Sequence, residues 1–388
     1  MSPNTSARQS PSASVPASGG VSGGASGGAS GVASGVASQA AAGSLDFAAH
    51  FPEVSGYLSA CTGGLPSHAT LAASRSFFDE WAAGRLDAHA IGDASERTRQ
   101  LYAQLAGVTP DRVALGSQVS QIVSIIATTV PDGGEVLCAA GDFSSLTHPF
   151  EQLAARGVTV RYAPVAELAA AVRPETTLVA FSLVQSATGE VADHEAIVAA
   201  AARVGARTCV DLTQSLGWLP VGAATFDYTV CHAYKWLCAP RGTAFLTVRA
   251  GLDETLTPLA AGWCSADDVW GSCYAGHTPL AANAGRFDLS PLWPLVPGTE
   301  AALALFASLD PVAVHDHAVG LANAARSVLG MPSGNSAIVT WPDPDGSELA
   351  AMQAAGLVVS GRAGNARVAF HLWNTMEDVE LLARALGR

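Results

Sequence analysis

Between residues 112 and 235, short apolar runs alternate with stretches of helical spacing. The apolar runs lie at 112–115, 135–140, 158–162, 177–184, 208–211 and 226–231. Each has the length of a strand, and most are apolar almost throughout, as in strands buried on both faces. Residues 118–130, 146–156, 167–172 and 195–204 carry helical patterns between them. Strands alternating with helices predict a mostly parallel sheet covered on both sides. Sheets of this kind bind their ligands at the carboxyl ends of the strands. Ser117, Phe143, Gln185, Asp211 and Lys235 all follow strand-like runs, so the topology would gather them along one edge.

Two of these five suggest a chemistry. Asp211 closes one run and Lys235 follows the next. A carboxylate and a lone lysine at the ends of neighbouring buried strands suit pyridoxal phosphate. The amine would hold the aldehyde as a Schiff base, and the carboxylate would keep the pyridine nitrogen protonated. The bland alternative for Lys235 is a surface lysine lying along apolar surface. The turn Gly116-Ser117 before a helix adds an anion site, because free N–H groups and the helix dipole point at whatever sits there. An ordinary strand–helix turn has the same sequence.

The run Ala233-Tyr234-Lys235-Trp236-Leu237, followed by Pro240-Arg241-Gly242, resembles the lysine segment of the class V aminotransferase family of fold type I pyridoxal phosphate enzymes. That family includes cysteine desulfurases, kynureninases and isopenicillin N epimerase. Asp211-Leu212-Thr213-Gln214 resembles its Asp-x-Ala-(Gln/His) element, and the pattern from Val184 to Gly189 resembles the kynureninase branch. The resemblance implies an α/β architecture, the PLP-dependent transferase fold type I. A large domain with a mostly parallel, seven-stranded-type sheet covered by helices would carry a small C-terminal α+β domain. It also implies a homodimer acting at the α-carbon of an amino acid or related amine substrate.

The same resemblance distributes roles. Lys235 is the catalytic amine, which holds the cofactor and then moves the α-proton. Asp211 pairs with the pyridinium nitrogen, Gln214 donates to the ring oxygen, and Ser117 and Gln118 contact the phosphate. Phe143 stacks on one ring face and Thr213 packs on the other. His232 and Tyr234 reach the phosphate. Arg367 grips the substrate α-carboxylate through two parallel hydrogen bonds. Arg286-Phe287-Asp288 and Gly298-Thr299 resemble the segment that crosses a dimer to the partner's phosphate.

Residue patterns alone leave other readings open. Phe143 suits core packing, His232 a hydrogen-bonded core histidine, and Arg367 an edge strand at the surface. The loop 185–189 is either a ring-oxygen contact through Gln185 or Ser186, or purely structural. Transamination, elimination and racemisation share a first step, and the sequence does not choose among them. Cysteine desulfuration needs a mobile cysteine late in the chain, yet none follows Cys273. A non-catalytic scaffold on the same fold is the reading from a different class.

Composition sets the outer bounds. Residues 1–43 are almost wholly Ser, Gly, Ala, Pro and Val with one charge, Arg8, which predicts a disordered tail. Residues 44–285 would form the large domain and 286–388 the small one. A net charge of −13 argues against a nucleic-acid surface. No apolar run reaches membrane-spanning length. The seven cysteines show neither CxxC pairs nor zinc spacing, so no metal is expected, and their odd number suits a reducing cytoplasm.

Overall fold

A computed structural model describes residues 46–388. The tail expected at 1–43 lies outside the described residues. Two helices come first, α1 (His68–Ala82) and α2 (Ala88–Ala106). The Ser67 side chain caps α1, Asp87 caps the start of α2, and Gly107 at φ 66° ends it, each by the expected end-group chemistry. The periodicity predicted one helical stretch over 70–107; residues 83–87 break it.

The alternating part then unfolds as β1 (Val113–Gly116), α3 (Val119–Ile126), β2 (Glu135–Ala139), α4 (Ser144–Glu151), β3 (Thr159–Ala163), α5 (Leu168–Ala171), β4 (Thr176–Ser182), α6 (His194–Val204), β5 (Arg207–Asp211), β6 (Tyr228–His232) and β7 (Ala244–Val248). These seven strands form one sheet in the order β1-β7-β6-β5-β4-β2-β3. Every neighbouring pair is parallel except those made by β7, which runs against both β6 and β1. The expected seven-stranded, mostly parallel sheet is therefore present.

Successive strand residues feed opposite layers, as the pleat requires. Leu137, Val179, Val210, Cys231 and Phe245 pack with α2, α5 and α6. Their neighbours Cys138, Leu178, Cys209, Val230 and Leu246 pack with α3 and α4 on the other side. Cys138, Cys209 and Cys231 are buried small hydrophobes, and burial pushes all three thiols up.

Two longer helices follow, α7 (Val296–Ala307) and α8 (Pro311–Val328). A second sheet comprises β8 (Ile338–Pro342), β9 (Ser360–Arg362) and β10 (Asn365–Ala369), with α9 (Ser347–Ala354) between β8 and β9 and α10 (Met376–Ala385) closing the chain. Its order is β8-β10-β9, antiparallel throughout. The lead-in segment near residue 58 lies beside it through single bridges, Tyr57 to Val358 and Ser59 to Ala369. Among the described residues no helix is long and apolar enough to cross a membrane.

Candidate active site

Five strand ends open onto one edge of the large sheet. Gln118 follows β1, Phe143 follows β2, Ser186 lies beyond β4, Asp211 ends β5, and Lys235 comes three residues after β6. Gln118, Phe143, Ser186, Asp211, Gln214, His232, Tyr234, Lys235 and Arg241 all line one pocket. It encloses about 550 Å³ of non-atom space, its solvent mouth included.

Lys235 is the only lysine in the chain. It is 7% exposed, which excludes the surface-lysine reading. Burial pushes its amine down to about 8, against the opposing pull of Asp211. A tenth or so of such an amine is neutral at pH 7, enough to attack an aldehyde. The loop that presents it is locked from beneath. Gly64 donates its N–H to the Tyr234 carbonyl at 2.9 Å, and a Cβ on Gly64 would stand 2.0 Å from the Lys235 carbonyl oxygen. Only glycine allows that approach.

Asp211 is buried, and burial lifts its carboxyl to about 6 while Thr213 and Lys235 pull it down. The Thr213 backbone N–H donates to Asp211 Oδ1 at 2.8 Å, and the Thr213 hydroxyl accepts the His232 N–H at 2.9 Å. Thr213 thus ties the β5 end to the β6 end. The His232 ring accepts the Gly242 N–H on Nε2 at 3.2 Å, and burial followed by the charge of Arg241 pushes its pKa down to about 4. It is a neutral imidazole that is both hydrogen-bonded within the fold and open to the pocket, so the two sequence readings coexist.

Phe143 is 52% exposed, so it is not core packing. Its ring centroid lies 5.6 Å from Lys235 Nζ, leaving an open aromatic platform over the amine. Gln118 is the N-cap of α3, and no side chain caps that helix, so its first N–H groups stay available to an anion. Ser117 is placed differently. Its hydroxyl donates to Gln121 at 3.0 Å and it lines an adjoining cavity with Gly242 and Thr299. Gln214 donates both amide protons, to the Cys61 carbonyl at 2.9 Å and the Ser186 hydroxyl at 2.8 Å, and accepts from the Trp236 indole. Gln185 is absorbed by its own loop, donating to the Ala140 carbonyl and accepting from Thr188.

Arg367 lies on the central strand of the second sheet and is 1% exposed, which removes the edge-strand reading. Its partners are all neutral: the Ser360 and Thr62 hydroxyls, and the Ser186 carbonyl and hydroxyl. No carboxylate lies within 4.0 Å of its nitrogens among the described residues. A buried cation without an anion is expensive, and a carboxylate arriving at this guanidinium would relieve that cost. Arg286 and Asp288 do not reach the pocket. Asp288 is buried against Arg99 at 2.5 Å and accepts the Leu115 N–H.

Sequence reasoning missed Arg241, whose guanidinium lies 5.1 Å from the Tyr234 ring centroid and lines the pocket. It also missed Thr62 and Ser360, the hydroxyls around Arg367. Their only signal was proximity to glycine turns. Among the described residues no cluster of His, Cys, Asp and Glu suits a metal.

These residues fit pyridoxal phosphate: a depressed single amine, a buried carboxylate at the end of the central strand, an aromatic platform and an uncapped helix start. Comparison with known proteins agrees. The family model "Aminotransferase class-V" matches residues 69–357. An uncharacterized aminotransferase, YcbU of Bacillus subtilis (strain 168), is 27% identical over 74% of this chain and 81% of its own length. The isopenicillin N epimerase of Amycolatopsis lactamdurans is 31% identical over 42% of this chain, the match spanning 46% of that relative. The cystine C-S lyase C-DES, solved with its product cysteine persulfide, superposes with a TM-score of 0.77 at 20% identity, covering 86% of this chain and 97% of that one. At that identity the likeness shows the fold.

Proposed function

Because the chain belongs to the class-V aminotransferase family, whose members are pyridoxal phosphate enzymes, we propose that it acts at the α-carbon of an amino acid substrate, with Lys235 as its catalytic base. The observation that carries this is the meeting of the sole lysine with Asp211 in one pocket at the carboxyl edge of the sheet. Family membership sets aside the scaffold reading.

When bound, pyridoxal phosphate withdraws electrons from the bond broken at the α-carbon. The chain's own residues do the rest. Asp211 holds a proton at the ring nitrogen. Phe143 covers one face and excludes water. The open start of α3 at Gln118, together with Arg241, Tyr234 and His232, binds the phosphate. Arg367 exchanges hydroxyl partners for the substrate α-carboxylate and fixes which α-bond faces Lys235. Lys235, neutral in part at pH 7, removes the α-proton and returns it elsewhere. Transamination or β-elimination follows from such a step. Desulfuration is not favoured, because the hairpin 360–367 beside the pocket carries no thiol. The homodimer and the division at 285/286 belong to the same proposal and are read by sedimentation and limited proteolysis.

The test uses the single lysine. Protein carrying pyridoxal phosphate is reduced with borohydride and digested. The expected result is one labelled peptide containing Lys235, and no label in Lys235→Arg. A label at the N-terminal amine alone, or equal labelling in the variant, overturns the assignment.

A further inference from the structure

We propose that Arg362 is a specificity-determining residue that binds a second carboxylate, so that the site takes α-amino acids whose side chain ends in an acid. This deepens the reading above and rests on it.

The placement comes from strand register. β9 pairs with β10 so that Ser360 faces Arg367 and Arg362 faces Asn365. Side chains two apart on a strand share a face. Ser360 points toward the pocket, since its hydroxyl accepts from Arg367. Gly361 between them points the other way, where a Cβ would meet Leu349 at 2.9 Å. Arg362 therefore lies on the pocket face, about 7 Å along the strand from Ser360. That offset suits the two ends of a short diacid.

Charge supplies the second observation. Arg362 is exposed, and its one hydrogen bond goes to the neighbouring Gly361 carbonyl at 2.7 Å. No carboxylate lies within 4.0 Å of it among the described residues. Burial is the main cause that depresses Lys235 and Arg367, and the charge of Arg362 reaches inward to add to it, acting on Tyr234 as well. Two cations, Lys235 and Arg241, line the pocket, and Arg367 and Arg362 lie near enough for their charges to act on Lys235, against two nearby carboxylates, Asp211 and Asp142. A cofactor phosphate would answer Arg241, and a substrate α-carboxylate would answer Arg367. Arg362 is left over, in a chain whose net charge is −13. A cation kept unpaired at the mouth of a pocket in so acidic a protein selects for a further anion on the substrate.

The experiment compares aspartate, glutamate and α-aminoadipate with asparagine and glutamine on the holoenzyme, in wild type, Arg362→Gln and Arg362→Lys. The expected result is a kcat/KM preference of about tenfold for acid over amide, the scale of a charged hydrogen bond at a half-exposed site. The preference should vanish in Arg362→Gln with amide kinetics unchanged, and survive in part in Arg362→Lys. Calorimetry with glutarate against glutaramate gives the same comparison without turnover. Equal handling of acid and amide by wild type in both measurements overturns the proposal, as does an Arg362→Gln loss shared equally by acid and amide. Borohydride labelling of Lys235 in the same preparations separates the two readings. Label present with no acid preference removes only the role of Arg362, whereas label absent removes the catalytic assignment beneath it.

Discussion

Replacing Lys235 by methionine should stabilise the cofactor-free protein. The amine is 7% exposed, and burial pushes its pKa down to about 8 from the 10.5 ordinary for a lysine. Such a depression amounts to roughly 3 kcal/mol of preference for the neutral form in the fold. The sign follows from proton counting. Between pH 8 and 10.5 the unfolded chain binds the proton and the folded chain does not, so stability rises with pH across that window. Below pH 8 the folded chain carries the full penalty of a buried ammonium. Methionine keeps most of the volume and the apolar stem and carries no charge. Lys235→Met should therefore be more stable than wild type by up to about 3 kcal/mol at pH 7, and the gap should close toward pH 10.5. Part of the gain is lost because Asp211 forfeits its nearby cation, though a carboxyl at about 6 can take up a proton instead. The assay is urea unfolding of cofactor-stripped protein at pH 7 and pH 9.5. Equal stability at pH 7, or a gap that does not shrink at pH 9.5, would refute the reasoning. Adding pyridoxal phosphate should reverse the order, because only wild type gains the covalent ligand.

Three further outcomes follow from particular contacts. Arg367→Gln should raise KM for an amino acid substrate about tenfold to a hundredfold with a smaller effect on kcat, the cost of one charged hydrogen-bonded contact; steady-state kinetics decide it, and an unchanged KM removes Arg367 from the substrate. Gly64→Ala forces a Cβ against the Lys235 carbonyl oxygen at 2.0 Å, so cofactor affinity measured by equilibrium dialysis should fall at least tenfold while far-UV circular dichroism stays unchanged. Ala363 sits at φ 50° beside Gly364 at φ 77°, the paired left-handed conformation of a tight hairpin turn. Ala363→Gly should raise unfolding stability by about 0.5–1 kcal/mol, since relief of the left-handed strain exceeds the added chain entropy. A lower urea midpoint would show that strain is absent there.

The large sheet was legible because its strands are buried on both faces. Runs such as Val210 and its neighbours in β5 need no partner to be recognised, and the helices between them fix the parallel crossing. The direction of β7 was not legible. Residues 244–249 are as apolar as any parallel strand, and composition does not encode orientation. In the second sheet, the apolar residues Leu357, Val358 and Val359 suggest a strand at 356–360. In the fold they lie before β9, whose polar residues Ser360, Gly361 and Arg362 pair instead, their register set by the turn at Ala363 and Gly364. Helix α9 is hard to read because it is only eight residues long and Met352 is its one buried side chain. Phe78 and Trp81 have helical spacing but point outward, 50% and 57% exposed, which spacing cannot foresee. In the site, Asp211 and Lys235 were legible as polar ends of apolar strands. Arg241 was not, because an arginine in a loop carries no periodicity.

What the sequence hid most completely is how the two sheets come to share one site. Residues 57–64 supply much of the connection. Tyr57 and Ser59 bridge to the second sheet, and the Thr62 hydroxyl accepts from Arg367 across 305 positions. The Cys61 carbonyl accepts from Gln214, next to the Asp211 loop, and the Gly64 N–H donates to the Tyr234 carbonyl beside Lys235. A second tie comes from the far side, where buried His371 donates from Nε2 to the Trp236 carbonyl at 2.9 Å. Arg367 and His371 sit four residues apart, so the segment that leaves the strand holding Arg367 also reaches the lysine loop. Local propensity contributes little to any of these contacts, because each joins residues distant in sequence. Apolar packing also joins the two sheets, since Ile338 and Ala369 share one core with Phe181 and Phe245, but these polar contacts set where Arg367 stands against Lys235. Loss of the polar contacts at Thr62 and Gly64 should accordingly cost substrate and cofactor binding before it costs the fold.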